Sequence, residues 1–147
     1  MKYFSRIMLL CCCMLQGCGF FDEPSVTCTE RNLDATASLS SAILGMWKYC
    51  PPIIDYDDNS ESAPTDYCNF LSNGIYLTYR VHSDGRIDGP NERKYAVDNR
   101  QIIFDPEGAY FSLPLQEIKE TSIEFHSGGL TQEFYAVECQ GLPEAAQ

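Results

Sequence analysis

One stretch of the chain sets oxygen-bearing side chains at the spacing of a calcium loop. In Asp55-Tyr56-Asp57-Asp58-Asn59-Ser60-Glu61 the first, third, fifth and seventh positions are Asp55, Asp57, Asn59 and Glu61, and Asp66 falls at the twelfth. Calcium takes about six to eight oxygen ligands, which such a spacing can supply. The loop also departs from the template. Ser60 stands where glycine makes the sharp turn, and Asp66 is shorter than the usual bidentate glutamate. Pro51-Pro52 denies a preceding helix, and Pro64 stiffens the middle. A solvated acidic loop that binds nothing is the competing reading. The histidines, His82 and His126, sit on the polar phase of their segments, opposite Val81 and Phe125, which predicts exposed rings. Nucleophilic catalysis needs a base and its partner within hydrogen-bond reach. The chain has no Gly-x-Ser-x-Gly, no His-Glu-x-x-His and no glycine-rich phosphate loop. The expectation is a protein that is not an enzyme and uses no cofactor.

The N-terminus carries a different kind of chemistry. Lys2 and Arg6 precede an apolar run from Ile7 to Leu15, and small Gly17 follows, the order of a secretory signal peptide. A membrane span needs about 20 apolar residues, and this run is too short for one. Leu15-Gln16-Gly17-Cys18 resembles the lipobox of bacterial lipoproteins. The resemblance implies cleavage after residue 17 and acylation (palmitate among the chains) of Cys18. A single acyl chain binds marginally, whereas more than one anchors stably. Gly19, rather than Asp, resembles the pattern of lipoproteins sent to the outer membrane in Gram-negative cells. The implied location is the bacterial cell envelope, lipid-anchored, on the periplasmic or extracellular face.

Cleavage sharpens the charge. Lys2 and Arg6 leave and no acid does, so 8 basic residues face 21 acidic ones, a net −13 against −11 for the whole chain. Such a chain repels phosphates, which excludes nucleic-acid binding. It permits a cationic partner, with a solvated acidic surface as the alternative. Cys11, Cys12 and Cys13 leave with the signal, and Cys18 carries lipid. Cys28, Cys50, Cys68 and Cys139 remain, an even number that reads as two disulfides in an exported domain. No Cys-x-x-Cys pair and no histidine near a cysteine supports zinc. The expected organisation is a signal peptide at 1–17, a lipidated tether at 18–33, one domain at 34–140 and a tail at 141–147.

The elements that must position these residues follow from the pattern. Asp34 reads as an N-cap, Leu39, Ile43 and Leu44 share a helical face, and Gly45 reads as a stop, predicting one short helix. Beyond Trp47 the texture alternates. Ile75, Leu77, Tyr79 and Val81 lie on one phase and Thr78, Arg80 and His82 on the other, which predicts that the latter face out. Strands at 94–97, 101–104, 109–113, 122–126 and 131–139 alternate with turns rich in Gly, Asn and Asp. With short strands near Trp47 and Arg86 this makes about eight, enough to close an up-and-down antiparallel barrel. The expected class is mainly β, a small barrel preceded by one short N-terminal helix.

Gly45-Met46-Trp47, after a short helix and before a meander, resembles the Gly-x-Trp that opens the first strand of lipocalins and related calycins. In that family a basic residue of the last strand often packs over the tryptophan; Gln132 to Cys139 contains none. Cys50 ends the first strand and Cys68 begins the second, and adjacent antiparallel ends meet, which favours Cys50–Cys68 and leaves Cys28–Cys139. A Cys50–Cys139 bond across the barrel seam stays open as the alternative. The aromatic residues, among them Phe70, Tyr76, Tyr79, Tyr95, Phe104, Tyr110, Phe111, Phe125, Phe134 and Tyr135, either line a ligand cavity or fill the barrel. The leading functional expectation is a non-catalytic binding module for a small apolar ligand or lipid. A protein-interaction or inhibitor module for a basic protein is the alternative, with an envelope structural role beside it. An interior void above roughly 300 Å³ discriminates the first.

Overall fold

The computed structural model describes residues 25–49, 63–108 and 111–144. Within them run β1 (Thr27–Glu30), α1 (Leu39–Ala42), β2 (Gly45–Lys48), β3 (Thr65–Phe70), β4 (Ile75–Val81), β5 (Ile87–Asp98), β6 (Gln101–Phe104), β7 (Phe111–Ile118), β8 (Ser122–Ser127) and β9 (Leu130–Gln140). Each strand from β2 to β9 pairs antiparallel with the next, and β9 returns to β2, closing an eight-stranded barrel. This architecture is compatible with a lipocalin-like fold. Its connections alternate between two rims. The β3–β4, β5–β6 and β7–β8 turns share one rim with α1, and the β4–β5, β6–β7 and β8–β9 connections share the other.

β1 lies in the segment expected to be a tether. It takes over the edge of β9 where β8 ends: β8 pairs residues Leu130 to Tyr135 of β9, and β1 pairs Val137 to Gln140. The chain then crosses the α1 rim, where the Leu33 amide donates to the Glu120 carbonyl at 2.7 Å. The expected helix is only one turn long. Asp34 does not cap it; its Oδ1 accepts from the Thr36 amide at 2.9 Å and the Thr36 hydroxyl at 2.6 Å, closing a separate turn. Gly45 does not stop the helix either but opens β2, at φ +104°.

Trp47 is fully buried, and its indole Nε1 donates to the Ile43 carbonyl at 2.6 Å, tying the helical turn to the barrel. A cation does pack over Trp47, and it comes from Arg31, just beyond β1, not from the last strand. Its guanidinium carbon stands 5.2 Å from the indole centroid. Burial pushes the Arg31 pKa down from its usual value, opposed by Glu138.

Aromatic rings fill the interior. Phe70 lies 5.3 Å from Tyr76 and 4.9 Å from Tyr95, Tyr76 lies 5.3 Å from Phe104, and Phe125 lies 4.9 Å from Phe134. These are the offset and edge-on separations at which rings attract. The phase of β4 is opposite to the sequence expectation. Register places Tyr76 beside Phe70, Thr78 beside Cys68 and Arg80 beside Asp66, so these residues turn inward. Leu77 and Tyr79 join Tyr67 and Val137 in a second apolar cluster on the outer wall. Two apolar phases compete for one interior, and the larger ring set with Phe70 and Phe104 wins it. Inward-facing Arg80 is neutralised by Asp66. A bulge between Thr78 and Arg80 lets β5 approach closely. Only glycine fits opposite it, since a Cβ at Gly89 would lie 2.5 Å from the Thr78 carbonyl oxygen.

Candidate functional site

Cross-strand pairing builds rows of side chains on the outer wall. Lys48 of β2 is directly opposite Tyr67 of β3 on one side and Tyr135 of β9 on the other. The neighbouring row sets Val137 between Glu30 of β1 and Met46 of β2. Between these rows opens a cleft of about 320 Å³, lined by Tyr49, Tyr67, Tyr135, Lys48, Glu30 and Val137, with Cys28 and Thr29 at its β1 side.

Tyr49 projects into the cleft from the end of β2. Its φ of +61° is rare for a bulky residue, and the residue is 53 % exposed. The backbone is held there because the Tyr49 amide donates to the Asp66 carbonyl at 3.0 Å. The ring meets Tyr135 edge-on at 5.9 Å, and the Lys48 ammonium sits 4.7 Å from its centroid. Tyr135 is held in turn: its hydroxyl donates to Glu133 at 2.8 Å, which raises its pKa. Glu133 also accepts from the Ser122 hydroxyl at 2.6 Å and Lys119 at 3.0 Å. Those donors pull its carboxyl down to about 2. Lys119 bridges to Glu124 at 2.7 Å, and the two carboxylates push its pKa up.

The residues singled out from sequence are scattered. Cys28 and Cys139 face each other across β1 and β9 and are bonded, with an S–S distance of 2.07 Å. Cys68 is buried and disulfide-bonded. Its expected partner Cys50 lies outside the described residues, as does Cys18. Of the calcium candidates, Asp55, Asp57, Asn59 and Glu61 also lie outside them. Asp66 is engaged by Arg80, with contacts of 2.9 Å and 3.2 Å. Among the described residues no three His, Cys, Asp or Glu side chains gather around a common point. His126 is exposed, as expected. His82 is half-buried, its Nε2 lying 2.7 Å from Asp88, whose pKa the contact lowers. Of the aromatic residues weighed as cavity lining, Tyr135 and Tyr79 face outward, and Phe111 is exposed while stacking on Phe104 at 4.7 Å. Tyr110 lies outside the described residues.

Sequence reasoning did not find the cleft. Its only advance signal is the outward phase of Lys48 and Tyr135 once Trp47 and Phe134 are assigned inward, and that assignment needs the register. No helix among the described residues is long and apolar enough to cross a membrane. No family model, curated protein or solved structure matches this chain.

Proposed function

We propose that this protein is a lipid-anchored envelope barrel that acts as a non-catalytic interaction module, gripping a basic partner protein through its outer-wall cleft. The observation that carries this reading is Tyr49, a large ring held at positive φ and left half-exposed beside Tyr135. Strained backbone persists where the surroundings impose it and concentrates at functional sites. Among the described residues four large hydrophobic side chains stay exposed, and two of them, Tyr49 and Tyr135, line this cleft. Tyrosine is enriched among the residues that dominate protein interfaces. The net charge, −13 once residues 1–17 with Lys2 and Arg6 are removed, supplies the long-range attraction that selects a basic partner and speeds its arrival. Residues 15–18 support the anchor, and the ring-filled interior speaks against carriage of an apolar ligand inside the barrel.

Two probes separate these readings: a fluorescent lysine- and arginine-rich peptide, and a long-chain fatty acid. Fluorescence anisotropy should show the peptide binding at low salt and weakening as salt screens the field. Tyr49→Ala or Tyr135→Ala should weaken it by roughly tenfold or more, as truncating an interface anchor costs about 2 kcal/mol. Fatty acid should leave the emission of buried Trp47 unchanged. Peptide binding insensitive to both tyrosines, or fatty acid that shifts Trp47 emission stoichiometrically, would sink the proposal.

A further inference from the structure

We infer that the Cys28–Cys139 disulfide is an orienting clamp, holding the barrel with its α1 rim toward the bilayer and the opposite rim away from it. The inference rests on the acylation of Cys18 proposed above. β1 pairs with the far end of β9, Thr27 opposite Gln140, and the disulfide fixes the adjacent pair covalently. Just beyond, Ser25 lies against Gly141, where a Cβ would stand 2.9 Å from the Ser25 carbonyl oxygen. The N-terminal segment therefore joins the barrel at the far end of β9, on the α1 side.

The chain between the anchor and this point is short. Residues 18 to 25 span at most about 25 Å even when fully drawn out. Leu130, at the opposite rim, begins β9 ten residues before Gln140, about 33 Å along the strand. Barrel strands tilt by about 35–45°, which makes that distance about 25 Å of height. Seating the Leu130 rim on the bilayer would need the entire reach of the tether; seating the α1 rim needs almost none. The opposite rim, where Leu130 is 69 % and Phe111 47 % exposed, then faces the envelope space. Without the disulfide the segment is held only non-covalently, by the four residues of β1, by the Arg31 amide donating to the Ala136 carbonyl and by the Arg31–Trp47 contact. Release of β1 and Arg31 would let the tether run from Cys18 to Leu33, whose amide bonds the Glu120 carbonyl, about 50 Å at full extension, and the constraint would vanish.

The test uses the full chain, purified from membranes, with cleavage and acylation read by mass. It is reconstituted into phosphatidylcholine vesicles carrying an acceptor dye on a minor headgroup. A fluorescent residue replaces Arg100 or Glu120 at the α1 rim, or Ser83 at the other. Over a rim separation of about 25 Å, energy transfer from Arg100 and Glu120 should exceed that from Ser83 about twofold. Cys28→Ser with Cys139→Ser should abolish the difference. So should insertion of a long Gly/Ser segment after Gly19, which leaves the barrel intact and keeps the test decisive if the double variant fails to fold. Equal transfer in the acylated native chain, transfer favouring Ser83, or a difference that survives the insertion overturns the clamp while leaving acylation standing. A chain that carries no acyl mass overturns both.

Discussion

Glu133 shows what a single carboxylate gains from strand pairing. It stands directly opposite Glu124, a like-charge pair that destabilises a sheet. Lys119 resolves the conflict by reaching both, while Ser122 and Tyr135 donate to Glu133 as well. Its pKa falls from the usual 4.5 to about 2. The sign of the linkage follows. A depressed folded-state pKa contributes stability above pH 4.5, and that contribution is lost as pH falls from 4.5 toward 2. The side chain is 29 % exposed and Lys119 37 %, so solvent screens the pair and the contribution is held to about 1 kcal/mol. Urea midpoints measured for the native chain and Glu133→Gln at pH 6, 4 and 2.5 should differ at pH 6 and converge at pH 2.5. A gap that stays constant with pH would refute the assignment. None of this was legible in a sequence with 21 acids. Only the register Ser122↔Tyr135 and Glu124↔Glu133 singles one out.

Elements were legible where rhythm carried them and lost where it did not. Turns rich in Gly, Asn and Asp, spaced through the second half of the chain, announced the antiparallel meander, because such residues adopt the backbone angles that reverse a strand. β1 was not announced. Four residues, Thr27 to Glu30, cannot show a period, and what makes them a strand is the free edge of β9 beyond β8. Arg31 was missed for the same reason: its place over Trp47 exists only once β1 does. β4 shows the other limit. Alternation separates two faces without saying which is inward, and a single step of register exchanges them. Strand ends gave the reason to expect Cys50–Cys68, and Cys28–Cys139 was the pair this left; Cys28↔Cys139 does lie in register. Its energetic weight is large because it closes a separation of 111 residues. Removing it with Cys28→Ser and Cys139→Ser should lower unfolding free energy by about 2–5 kcal/mol in denaturant titration. A loss under about 1 kcal/mol would mean that pairing with β9 and the Arg31–Trp47 contact hold β1 without it.

Across the whole molecule, charge and core pull in opposite directions. Buried rings and the closed sheet hold together a chain of net −11, with a pI near 4.4. Among the described residues the ion pairs are few, and the Lys94–Glu107 and Arg86–Asp88 pairs lie mostly in solvent. Exposed pairs contribute little and are screened by salt, while unpaired like charges repel one another at every separation within the Debye length. That length shrinks from about 30 Å at 0.01 M to about 10 Å at 0.1 M salt, so moderate salt removes mainly repulsion. The net effect of sodium chloride at pH 7 should be stabilising. Relief of about 1 kcal/mol corresponds to a rise in Tm of about 3–5 °C for a domain of this size. Near pH 4.4 the repulsion is gone and the rise should disappear. Calorimetric scans from 0.01 M to 0.5 M salt at the two pH values make the comparison. A Tm that falls with salt at pH 7 would mean that the ion pairs, not the surplus of acids, set the electrostatic balance. The steering field invoked for a basic partner would then be weaker than the formal charge implies, since steering and self-repulsion arise from the same unneutralised acids.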